Sequence, residues 1–72
     1  MSHDVERRAQ ALVNTSVQDA LSGAWGASIA VLDRAVQLEM QRSEPRMSLI
    51  RGLRAERAKR VREQAAAPKD VA

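Results

Sequence analysis

Apolar residues recur through the first half of the chain at helical spacing. Val17, Leu21, Ala24, Ser28, Val31, Ala35 and Leu38 follow alternating steps of four and three, the a/d seam of a helix that packs against another helix. Trp25, Ile29, Leu32 and Val36 sit one position further round and widen the seam into a broad apolar face. On the far side Thr15, Asp19, Ser22, Gly26, Asp33 and Gln37 form a polar spine, which turns both aspartates toward water. Before Val17 the apolar set moves to Val5, Ala9, Leu12, Val13 and Ala20. That is another side of the cylinder and predicts a bend, or a separate packing partner, for the first turns.

Ser2 and Asp4 suit an N-cap, and Asp4 and Glu6 place negative charge where the helix dipole favours it. With no proline and no run of turn-formers read between Val5 and Ser43-Glu44-Pro45, the pattern predicts one long amphipathic helix from about residue 4 to about residue 42. Gly23 and Gly26 are its weak points, each costing about 1 kcal/mol relative to alanine, and mark a bend or a close backbone approach. Glu44 and Pro45 suit the start of a second helix, which runs to about residue 67 and stops before Pro68. Met47, Ile50, Val61 and Ala65 share a stripe on it, interrupted by Arg54 and Arg57.

The fold class expected is therefore all-α. A long helix and a shorter basic one form an antiparallel helical hairpin in a single domain over residues 1–67, with 68–72 as a flexible tail. A nearly continuous bent rod is the alternative arrangement.

Composition changes this picture in one respect. Of 72 residues 13 are alanine and one is aromatic, so the core has little side-chain volume. Small scaffolds offset that with disulfides, a metal or oligomerisation; with no cysteine and only His3 as histidine, oligomerisation or docking on a larger partner is what remains. The expected contact is the apolar face of Val17, Leu21, Ala24, Trp25, Ser28, Ile29, Val31, Leu32, Ala35, Val36 and Leu38. Trp25 beside small seam residues is its natural anchor.

Charge adds a second feature. The net charge is +3, but residues 1–43 sum to −1 and residues 44–72 to +4. Between residues 46 and 62 stand Arg46, Arg51, Arg54, Arg57, Lys59, Arg60 and Arg62 against the single carboxylate Glu56. These seven surround the second helix, whose distal half is expected to order on contact with a partner. They match a nucleic-acid backbone, read through phosphates without sequence preference, or the carboxylates of an acidic protein. A solvated helix face is the simplest reading of the same residues, helped by pairs such as Glu56 with Arg60. The stretch itself contains no aromatic residue for base stacking.

Other chemistry is not supported. There is no cysteine or tyrosine, and the serines and Thr15 have no base at a meaningful spacing. Asp19 and Asp33 would stand about 21 Å apart along a helix, too far for a carboxylate pair. No cofactor, metal site or small-molecule substrate is expected. The uncharged run Ala20 to Leu32 would rise roughly 20 Å as a helix against about 30 Å of hydrocarbon, so no membrane span is expected. With no signal-peptide pattern at the start of the sequence, the expected location is cytoplasmic, or a particle assembled there. The functional expectation is a small non-enzymatic helical adaptor that self-associates or docks through its first helix and engages an anionic partner through its second. A structural subunit or assembly factor of a larger particle, as in a phage virion or secretion apparatus, is the alternative, with an inhibitor or antitoxin-type protein a third.

Overall fold

Two serines divide the stretch whose periodicity predicts one helix. Ser16 adopts an extended backbone, and its Oγ accepts the N–H of Asp19 at 3.2 Å. Ser28 does the same for Val31 at 3.3 Å. Each hydroxyl satisfies a donor that the first turn of a helix leaves unpaired, so each marks a new start. Ser16 and Asp19 also have the spacing of a helix-start signature, with Asp19 adding negative charge at the positive end of the dipole. The computed structural model describes residues 2–66 and has four helices: α1 (Ser2–Val13), α2 (Val17–Ala24), α3 (Ile29–Met40) and α4 (Met47–Ala66). The long helix of residues 4–42 is thus three helices, because the side-chain caps at Ser16 and Ser28 outweigh an unbroken apolar repeat. The tail expected at 68–72 lies outside the described residues.

α4 begins three residues later than the sequence pattern suggests. Pro45 precedes the helix instead of opening it, and the Arg46 carbonyl accepts the N–H groups of Leu49 and Ile50 at 3.0 and 3.1 Å. The chain is helical to Ala66. From Val61 to Ala65 every residue is exposed; Arg60 is the last side chain that joins α4 to the rest.

α1 touches α2 and α3, and α4 touches the same two, so the four helices close a ring around one core. Its wall is made of small residues that let backbones approach, with Ala9, Ala20, Ala24 and Ala35 almost wholly buried. Leu32, Leu49 and Leu53 fill the middle. Leu12, Val13, Val31, Val36 and Ile50 complete it. The four-helix ring replaces the two-helix arrangement, and the reason is arithmetic: with so much alanine, one pair of helices has too little volume to shield either face from water.

The glycines show how tight the ring is. A Cβ on Gly52 would stand 2.5, 2.9 and 3.2 Å from Cδ2, Cδ1 and Cγ of Leu21, and one on Gly23 would stand 3.1 Å from Cδ2 of Leu12. Gly26 lies in the break before α3 with nothing within 4 Å of its Cβ position and no positive φ. Replacing Gly52 by alanine gains about 1 kcal/mol of helix propensity but displaces Leu21 as a whole, at about 1–3 kcal/mol. Gly52→Ala should therefore lower the urea midpoint, whereas Gly26→Ala should raise stability by about 0.4–1 kcal/mol. Equal effects of the two substitutions would refute this packing of α2 on α4.

Candidate functional site

The seven basic residues of the arginine-rich stretch divide into two sets. Arg46, at the start of α4, is the centre of the inward set. Its Nη2 and Nε donate to Oε1 and Oε2 of Glu39, both at 3.0 Å, and its backbone N–H donates to Oε2 at 2.8 Å. The remaining donors reach the end of α1: Nη1 to the Thr15 carbonyl at 2.7 Å and Nη2 to the Val13 carbonyl at 2.8 Å. Arg42 adds a donor to the Val13 carbonyl at 3.0 Å and stands 3.7 Å from Glu39. Glu39 has no exposed surface, and no buried side-chain polar atom among the described residues lacks a partner. Hydrogen bonds from the Arg46 guanidinium hold the Glu39 carboxyl below its ordinary pKa despite burial, helped by the Arg46 N–H and the charges of Arg46 and Arg42. The same pairing raises the pKa of Arg46. Three helix ends meet at this one ion cluster.

Arg57 and Arg60 complete the inward set. Arg57 pairs with Asp33 of α3, whose side chain stays half-exposed as the polar spine suggests but is bonded to α4. Arg60 donates to the carbonyls of Ala24, Trp25 and Ala27, where α2 has just ended, and stands 3.7 Å from Glu56. An arginine there adds donors to carbonyls at and just past the C-terminal end of α2, of which the Ala24 carbonyl also accepts the Ala27 N–H. A further bridge, Arg34 to Glu6 at 2.6 Å, ties α3 to α1; it raises the pKa of Arg34 and, with a hydrogen bond from Gln10, lowers that of Glu6.

The outward set is Arg51, Arg54, Lys59 and Arg62, all exposed. At 100° per residue these four share one side of α4 about 16 Å long with the exposed Ala55 and Ala58 between them, and the nearest carboxylates on α4, Glu56 and Glu63, stand at one edge beside Lys59. Arg54 touches the sulfur of Met40 at 3.8 Å. At one edge of the strip the connection between α2 and α3 presents Trp25, which is 71% exposed. The Lys59 ammonium lies 5.5 Å from the centre of its ring, a cation–π contact. Trp25, Lys59 and Arg60 with Glu56 and Glu63 line an open depression of about 330 Å³.

The other predicted set is distributed differently. Ala24, Val31, Leu32, Ala35 and Val36 lie in the chain's own core, and Val17, Leu21 and Leu38 pack against it. Ile29 is half-buried; Ser28 is exposed and caps α3. Trp25, the expected anchor of this face, points away from it. Sequence reasoning missed Glu39, Arg42 and Arg34 as positioning residues, although Glu39 has a readable signal: it falls one position after Leu38 and three after Val36, on the apolar side of α3. Among the described residues there is no group of three or more potential metal ligands, and no helix is long and apolar enough to cross a membrane.

Removing one partner of a buried ion pair costs about 3–5 kcal/mol, against a total stability of about 4–11 kcal/mol for a chain of this length. Glu39→Gln should therefore lower the stability measured in denaturant titrations at neutral pH by up to about 3–5 kcal/mol. Because the folded-state pKa of Glu39 is depressed, its contribution is complete above the ordinary glutamate value and is lost as pH falls through the folded value. Wild-type stability should drop in that acid window; a Glu39→Gln variant that unfolds over the same window would show that another group is responsible.

No protein-family model, curated protein or solved structure matches this chain, so the functional reading rests on the residues and geometry described above.

Proposed function

We propose that the protein is a small non-enzymatic binding module that engages a nucleic-acid backbone through the outer strip of α4. The supporting observation is the sorting of cations: Arg46, Arg57 and Arg60 face protein acceptors, while Arg51, Arg54, Lys59 and Arg62 face solvent together, with the nearest carboxylates on α4, Glu56 and Glu63, at one edge. A strip serving solubility alone mixes both signs. Here the side chains of the intervening Ala55 and Ala58 are short enough for a charged rod to approach all four heads. Contacts of this kind neutralise phosphates and carry no base preference. Self-association through the Val17 to Leu38 face is outside this reading, since most of that face is covered by the chain's own helices.

If four phosphates are neutralised, the logarithm of the duplex-binding constant should fall with the logarithm of salt at a slope of about −3.6. Fluorescence anisotropy with a labelled duplex across a salt series measures it. Replacing Arg51, Arg54, Lys59 and Arg62 together by glutamine should abolish binding and leave the thermal unfolding midpoint nearly unchanged, because none of the four is in the ion cluster. A wild-type protein that ignores both duplex and single-stranded oligonucleotides at low salt, or binds polyglutamate as tightly, overturns the proposal; so does salt-independent self-assembly that leaves the oligonucleotide free, the behaviour of a structural subunit.

A further inference from the structure

Trp25 is the only tryptophan, and the chain has no tyrosine or phenylalanine. A lone large aromatic in a small protein ordinarily lies in the core; this one is 71% exposed. It is nevertheless held in place. Its backbone N–H donates to the Ser22 carbonyl at 3.4 Å, the following turn is closed by the Ala27 N–H on the Ala24 carbonyl at 3.1 Å, and Arg60 binds the carbonyls of Ala24, Trp25 and Ala27. A side chain exposed on a backbone fixed by so many hydrogen bonds is a platform, not a frayed end.

From this juxtaposition of an exposed, backbone-anchored indole with the outer cations of α4 we infer that Trp25 is a stacking site for an unpaired base, so that the ligand is single-stranded nucleic acid in preference to duplex. The inference rests on the proposed reading of the α4 strip and adds the strandedness of its ligand. A duplex hides the faces of its bases, whereas a single strand offers each one to an aromatic ring. Lys59 occupies both features at once: it lies against the indole and belongs to the strip, and Arg62 follows it by less than one turn. A base laid on Trp25 brings its own phosphate to these two cations. The depression beside the ring is nearly neutral, with Glu56 matched by Arg60 at 3.7 Å and Glu63 the remaining exposed carboxylate. Stacking therefore supplies the local attraction there, and the strip supplies the long-range one.

The test uses the intrinsic fluorescence of the full chain, which Trp25 alone dominates. Oligothymidylate should quench it, a duplex of equal length should bind without comparable quenching, and heparin, a polyanion without bases, should leave it unquenched. Trp25→Ala should weaken single-strand binding roughly fivefold to a hundredfold with the salt slope and the duplex affinity unchanged; Trp25→Phe should recover part of the loss, which separates stacking from any effect on folding. Equal affinity for single strand and duplex, with no effect of Trp25→Ala on either, overturns the stacking inference while leaving the strip's role standing. Loss of all oligonucleotide binding by the wild-type protein overturns both.

Discussion

Glu39 is the one buried charged residue among the described residues, and the geometry of the fold follows from how it is neutralised. Its carboxylate accepts three hydrogen bonds from Arg46 alone. The rest of that guanidinium then reaches carbonyls at the end of α1, which have no helical partner of their own. A buried carboxylate without these donors would be untenable, and the donors have no other position from which to satisfy both ends. The cluster therefore fixes where α1 stops, where α3 stops and where α4 starts. Such a device suits a chain poor in large apolar side chains. Alanine packing brings helices close but discriminates weakly between registers, whereas the rigid guanidinium fork of Arg46 makes its four hydrogen bonds in one arrangement.

Helix length makes that register matter. α2 has eight residues and α1 and α3 twelve each, too short to be helical alone in water. Each is stable through contact with two neighbours in the ring. The salt bridge from Arg34 to Glu6 and the pairing of Arg57 with Asp33 repeat the theme at lower weight, since both are partly exposed and screened by solvent. What holds the molecule is one charge cluster around the buried Glu39, supported by a closed ring of short helices.

Much of this was legible in the residues. Helical spacing identified an all-helical chain, and the apolar positions it selected between Ala24 and Val36 are largely those of the core. Periodicity could not say whether that face meets a partner molecule or the chain itself, because burial leaves the same pattern either way. The helix breaks were legible in principle: Asn14-Thr15-Ser16 with Asp19, and Gly26 two residues before Ser28, are cap signals that a continuous heptad repeat obscured. The division of the arginines was not legible, since an inward and an outward guanidinium have the same composition, and only the positions of Asp33, Glu39 and the Ala24, Trp25 and Ala27 carbonyls separate them. Trp25, which the spacing places as the anchor of the apolar face, is exposed on the connection between α2 and α3.

α4 is fastened at two points, Arg46 in the ion cluster and Arg60 at the loop carbonyls, fourteen residues apart and so about 21 Å along the helix. A helix fixed at both points cannot slide or fray between them. Arg51, Arg54 and Lys59 therefore keep constant backbone spacing in the free protein. Any anionic surface that fits this spacing meets charges that are already arranged, and association then costs the rotamer freedom of the side chains without the larger cost of ordering a backbone.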